Sequence, residues 1–208
     1  MKGLFITMEG PDGSGKSTQI GEIKKYFLSR GYEVIITREP GGTDISEQIR
    51  NIILDTNNKK LSNMTEALLY AASRAQHVEE KIKPALEDGK VVISDRFVDS
   101  SVAYQGYARG LGVELIESIN KFALQGIIPD ITFFFDIEPK KAMDRKLNQK
   151  SPDRLEGEHL SFHNLVYEGY KMLLKCHPDR IKIIDARKPA EEVKNQIIKE
   201  INKFLEEG

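Results

Sequence analysis

The sequence holds a single cysteine, Cys176, so no internal disulfide can form, and the chain suits a reducing cytoplasm. Cys176 stands in an apolar helical pattern, which predicts a buried, inert thiol. An excess of either charge is also lacking. The 31 Lys and Arg nearly balance 32 Asp and Glu, a formal net charge of −1. With no overall basic field, the composition argues against a nucleic-acid polymer as the principal partner. No apolar run approaches 18 residues and no secretory leader is recognisable, so a membrane span is not expected. None of the four histidines pairs with cysteine at a metal-ligand spacing, and His159 and His163, four apart, are expected to be solvated or capping residues. Internal repeats and low-complexity tracts are missing. So are the marks of a GTPase: there is no Asn-Lys-x-Asp, and no Asp-x-x-Gly follows an apolar strand.

What the chain does contain is an alternation of strand and helix patterns. At 208 residues and 39% hydrophobic content it reads as one domain over 1–208, long enough for a layered core. Strands are expected at 4–8, 32–37, 90–94, 130–136 and 181–184. Helices are expected at 16–30, 46–55, 63–80, 113–125, 139–148, 159–175 and 190–205. Asp130-Ile131-Thr132-Phe133-Phe134-Phe135-Asp136 is apolar through its centre. A strand without polar alternation is buried on both faces, which predicts a parallel sheet sandwiched by helices. One polar stretch, 148–157, breaks the rhythm and reads as a mobile flap over a nucleotide rather than a plain connection.

The strongest motif is Gly10-Pro11-Asp12-Gly13-Ser14-Gly15-Lys16-Ser17, which fits G-x-x-x-x-G-K-[ST] between an apolar strand and a helix. Glycines let successive backbone N–H groups curl inward toward phosphate oxygens at the positive end of the helix dipole. Lys16 would reach the β- and γ-phosphates, and the Ser17 hydroxyl would be a Mg²⁺ ligand. The chain is therefore expected to bind a nucleoside triphosphate. The third strand ends in Ser94-Asp95-Arg96. An acid there would hold Mg²⁺ through water, and the arginine beside it can span donor and acceptor phosphates. Thr37-Arg38-Glu39-Pro40-Gly41-Gly42-Thr43 leaves the second strand as a turn, at the sheet edge where α/β ligands bind.

Taken in order, these pieces and four others give the chain a likeness over essentially its whole length. The others are Leu69-Tyr70-Ala71-Ala72-Ser73-Arg74, Tyr104-Gln105-Gly106, Asp136-Ile137-Glu138-Pro139 with Arg145 beyond, and Asp153-Arg154-Leu155-Glu156. The chain resembles the bacterial-type thymidylate kinases. The resemblance implies a three-layer P-loop kinase fold: a five-stranded parallel sheet flanked by helices, with a short lid at about 146–157. It implies γ-phosphoryl transfer from MgATP to dTMP in dTTP synthesis, in a cytoplasmic homodimer. Other readings kept open are a kinase for another nucleoside monophosphate and a non-enzymatic ATP-binding regulatory module.

Site residues follow from matched positions. Gly10 to Gly15, Lys16, Ser17 and Thr18 would cradle ATP, with Arg145 flanking adenine. Tyr70 would stack on thymine, and Arg74 would donate to a thymine carbonyl. Ser101 and Gln105 would complete base recognition, and Tyr104 would close the space where a ribose hydroxyl would sit. Arg38, Arg50 and Arg96 would bind the acceptor phosphate, in a pocket shared with Glu39 and Pro40. Asp12 would lie near the sugar hydroxyl and the metal. The catalytic group would comprise Lys16, Asp95, Arg96 and a lid base, Lys150 or Arg154, because this phosphate loop carries no arginine of its own.

Overall fold

The computed structural model describes residues 3–146 and 153–207. Five strands form one parallel sheet: β1 (Leu4–Glu9), β2 (Val34–Arg38), β3 (Val91–Asp95), β4 (Ile131–Asp136) and β5 (Ile181–Asp185). Their order is β2-β3-β1-β4-β5, so β1 sits centrally with neighbours on both sides. Strand order reverses beside β1, and crevices outside the carboxyl ends of the strands at such points take ligands.

The apolar strands divide their side chains between two faces with period two. Ile6, Met8, Val91, Ile93, Phe133 and Phe135 pack into one cluster, with Ile20, Ile23 and Phe27 of α1 (Lys16–Leu28) and Ile197 and Ile201 of α9 (Ala190–Glu207). Phe5, Val92 and Phe134 point the other way. There they meet Val78, Ile82 and Phe97, Ile116 of α6 (Val113–Leu124), and Val166, Tyr170 and Leu173 of α8 (Leu160–Cys176). Helices therefore cover both faces, as continuous apolar strands require.

The remaining helices are α2 (Asp44–Leu54), α3 (Asn63–His77), α4 (Lys83–Glu87), α5 (Val98–Ser101) and α7 (Pro139–Lys146). Thr43 caps α2 by accepting the Ser46 N–H, and Ser62 caps α3 by accepting the Thr65 N–H. Two departures from regular helix were not expected. After α3 the chain widens into π-helix at Val78–Ile82, and after α5 it does so again at Val102–Ala108. Such widened turns are rare, and they often occur at functional sites. Cys176 corrects the expectation of a buried thiol: it is exposed, because it is the last residue of α8, where the apolar stripe has run out. Among the described residues no helix is long and apolar enough to cross a membrane.

Candidate active site

The turn from β1 into α1 forms the first half of the site. Gly10 has φ +131°, and a Cβ there would stand 2.9 Å from the Phe135 carbonyl oxygen, so only glycine fits beside β4. Gly15 takes φ +96° at the N-cap of α1, with no side chain capping the helix. The helical ladder starts with Gln19 N–H donating to Gly15 O, which leaves the amides of Lys16, Ser17 and Thr18 without a carbonyl four residues back. Lys16 folds over this turn, donating from Nζ to the carbonyls of Gly10 (3.1 Å) and Pro11 (3.0 Å). Burial, and then the nearby Arg96 guanidinium, push its ammonium below the ordinary lysine value. An anion held by the bare amides would relieve that cost.

Ser17 and Asp95 line one groove beside this turn. Asp95 Oδ1 is buried without a hydrogen-bond partner, an oxygen lone pair with nothing to bind. Among the described residues there is no cluster of three or more His, Cys, Asp or Glu suited to a metal. One carboxylate and one hydroxyl suit a hard cation that takes its other ligands from water and phosphate oxygens. Arg145 donates to the Ala186 carbonyl (2.8 Å), in the loop after β5, and Gln19 to that of Ala190 (2.9 Å), the first residue of α9.

The second half is a cavity facing the phosphate loop. It gathers Asp12, Arg38, Glu39, Pro40, Arg50 and Tyr70 with Arg74, Asp95, Arg96, Tyr104 and Gln105. Residues from distant parts of the chain, from Asp12 to Gln105, thus share one wall system. Arg74 is buried; its Nε donates to Glu39 Oε2 (2.8 Å), and its Nη1 donates to Ser101 Oγ (3.1 Å) and to Asn120 Oδ1. Glu39 Oε1 lies 3.0 Å from His77 Nδ1, and His77 Nε2 lies 2.6 Å from Thr37 Oγ1. This chain of polar contacts fixes the turn after β2. Ser101 stands behind Arg74 and is not among the residues lining the cavity. Gln105 donates to Glu66 (3.0 Å). Tyr70 is half-buried, and burial, with Glu66 behind it, pushes its phenol far above the ordinary value, so it is a neutral aromatic face.

The arginines are held in different ways. Arg38 forms a two-bonded pair with Glu47 (2.7 and 3.0 Å) near solvent, and Arg50 donates to the Pro40 carbonyl (2.7 Å). Arg96 reaches Asp12 Oδ1 (3.0 Å), and its guanidinium lies 5.2 Å from the Tyr104 ring centroid. Burial pushes the Tyr104 phenol up to about 12. Arg154 is tied down away from the phosphate loop: Nη2 donates to Glu66 Oε2 (2.6 Å) and Nε to the Ile53 carbonyl (2.8 Å). Lys150 lies outside the described residues.

Several residues enter the site without having been expected there. His163 lines the cavity instead of being a solvated or capping residue, and its Nε2 is buried without a partner. It flanks the buried stripe of Phe162, Val166 and Tyr170, so helical phase alone would have placed it half-buried. Glu66, fully buried, joins Gln105, Arg109 and Arg154, a convergence visible only in three dimensions. Glu9 sits in the motif itself; burial, then the Asp99 carboxylate, push its carboxyl up to about 7 against the pull of Arg96, Ser100 and Tyr170.

A family model described as thymidylate kinase matches residues 8–197. A thymidylate kinase of Bacillus pumilus is 49% identical over 100% of this chain and 99% of its own length. One of Finegoldia magna is 54% identical over 94% of this chain and 96% of its own. The crystal structure of thymidylate kinase from Ehrlichia chaffeensis superposes with a TM-score of 0.78 at 34% identity, covering 97% of this chain and 99% of that one. With a family model over residues 8–197 and relatives about half identical along nearly the whole chain, the chain belongs to the thymidylate kinase family.

Proposed function

We propose that this phosphotransferase moves the γ-phosphoryl group of ATP, bound as its magnesium complex, to dTMP, giving dTDP and ADP for dTTP synthesis. The observation that carries this reading is the cavity of arginines and aromatic faces set directly against the phosphate loop. A regulatory module that only bound ATP would have no use for such a pocket, and neither that reading nor another monophosphate kinase is favoured by the family match.

Phosphoryl transfer asks the protein to place two anions in line and to balance charge on the moving group. In this reading the amides from Gly10 to Thr18 and the Lys16 ammonium hold the β- and γ-phosphates, and Arg145 lies along the adenine. Ser17 and Asp95 would hold the magnesium ion, which when bound neutralises phosphate charge. Arg38, Arg50 and Arg96 take the acceptor phosphate; a guanidinium binds two oxygens at once, which lysine does not. Tyr70 stacks on the base, and Arg74, braced by Glu39 and supported by Ser101, donates to it. Gln105 completes base recognition beside it. Tyr104 closes the sugar wall, because an apolar surface by itself rejects a hydroxyl poorly. Asp12 and the unpartnered His163 Nε2 face the sugar edge.

The chain is read as one kinase domain with a lid over 146–157, of which 146 and 153–157 are described. Arg154 anchors that end to α2 and α3, which argues against Arg154 as the lid base; the other candidate, Lys150, lies outside the described residues. A homodimer is supported by apolar side chains left exposed on α3 and α6, among them Leu68 (50%), Leu115 (41%) and Phe122 (84%). A single exposed cysteine and nucleotide substrates suit the cytoplasm.

The test is ADP release by purified protein over a panel of nucleoside monophosphates with MgATP. Release is expected with dTMP, with little from AMP, GMP or CMP. Equal release with no acceptor present, or a preference for a purine monophosphate, would refute the reading.

A further inference from the structure

We infer that Glu9 is a positioning residue for Arg96: its buried carboxylate, acting through the hydroxyls of Ser100 and Tyr170 and the amide of Phe97, fixes the guanidinium that grips the acceptor phosphate. This inference deepens the proposed kinase reading and rests on it.

A guanidinium can only donate hydrogen bonds. Arg96 Nη1 donates to Ser100 Oγ (3.2 Å) and to Tyr170 OH (3.1 Å), so both hydroxyl oxygens act as acceptors toward it. Their own protons must then point elsewhere. Glu9 Oε2 lies 2.6 Å from Ser100 Oγ and 2.9 Å from Tyr170 OH, and accepts from both. The 2.8 Å approach of the two hydroxyl oxygens to each other then carries no proton; it follows from their sharing one donor and one acceptor. The polarity of the network is thus determined: cation, two hydroxyls, carboxylate. Charge at both ends strengthens each link.

The second carboxylate oxygen works on the backbone. Glu9 Oε1 accepts the Phe97 N–H at 2.7 Å, one residue after Arg96. Arg96 has φ +69°, the left-handed region that a residue with a Cβ occupies only when its surroundings insist. Arg96 N–H donates to Met8 O (3.0 Å), and Ser94 Oγ donates to Arg96 O (2.7 Å), so the turn is clamped on every side. One side chain therefore sets both the backbone turn and the guanidinium tip of Arg96. Glu9 is fully buried and does not line the cavity, so it acts on the reaction only through its neighbours. Asp99, whose charge bears on Glu9, is bound instead by Arg180 through two bonds (2.6 and 2.8 Å).

Glu9→Gln keeps the size of the side chain and an oxygen for Phe97, but its amide NH₂ cannot accept the two hydroxyl protons. Both hydroxyls would have to turn and accept from it, in competition with Arg96. At pH 8, above the value of about 7 to which burial pushes Glu9, the variant is expected to lose about 10–100-fold in kcat/KM for dTMP, the cost of a misplaced positioning group. The KM for ATP should change by less than about twofold. In an Arg96→Ala background the same Glu9→Gln change should cost no further factor, because its only route to the substrate is gone. Calorimetric dTMP affinities should repeat this cycle without relying on turnover, and Tyr170→Phe should show the same dependence on Arg96 if Glu9→Gln folds poorly. An equal loss in both backgrounds, or matched losses toward dTMP and ATP, would overturn the inference and make Glu9 a fold residue only. Acceptor-dependent ADP release by the unsubstituted chain reports separately on the kinase reading, so the two failures can be told apart.

Discussion

Replacing Lys16 with alanine is expected to lower kcat by about 10²–10³-fold, the usual cost of removing one preorganised cation or donor from developing charge. Melting temperature should hardly move. Lys16 is only 5% exposed, and it holds no buried carboxylate in a close pair: its bonds go to the carbonyls of Gly10 and Pro11, and Asp12 is 3.8 Å away. Burial already pushes its ammonium toward the neutral form, so the folded chain loses little when it goes. The phosphates lose the one side-chain cation rooted in their cradle. Steady-state turnover and a thermal melt on the same preparation check both halves. Turnover near that of the unsubstituted chain would contradict the loop assignment.

Arg74→Ala is expected to cost about 3–5 kcal/mol of stability, because it leaves the buried Glu39 carboxylate without its main partner. In a chain of this size that is a fall of roughly 10 °C in melting temperature. Recognition should suffer as well. Losing a charged donor in a closed pocket weakens dTMP binding by about 10–100-fold, while ATP binding, on the far side of the site, should hold. A second change, Glu39→Gln, removes the stranded charge and should recover part of the melting temperature but none of the dTMP affinity. Differential scanning calorimetry with titrations of each nucleotide makes the comparison. Equal losses for dTMP and ATP would remove Arg74 from the base pocket.

The parts of this site that were legible in the sequence are those whose residues are close together in the chain. Gly10 to Ser17 are consecutive, and each glycine and the lysine serve one local turn, so strand, loop and helix can be read directly. The apolar centre of β4 likewise announced a parallel sheet, and the order β2-β3-β1-β4-β5 agrees with it. Residues whose role depends on distant partners stayed hidden. Arg154 looked free to act in a lid, yet Glu66, eighty-eight positions earlier, holds it against α2 and α3. The π-helical stretches at Val78–Ile82 and Val102–Ala108 leave no mark in a 3.6-residue period and were not legible. Ser101 and Gln105, four apart, both turn toward α3, but their partners there were hidden: Ser101 braces Arg74 and Gln105 reaches Glu66. Glu9 is next to the glycine that opens the motif, but its meaning comes from Ser100 and Tyr170, which only folding brings to it.

Two nucleotides must lie phosphate to phosphate across a single crevice for any of this to work. A calorimetric titration with adenosine and thymidine joined through a polyphosphate bridge addresses that directly. One molecule should bind per chain, more tightly than either ATP or dTMP, since tethering makes the second contact intramolecular, and it should displace both. Binding that displaces only one nucleotide, or that leaves the other free to bind alongside, would contradict the account.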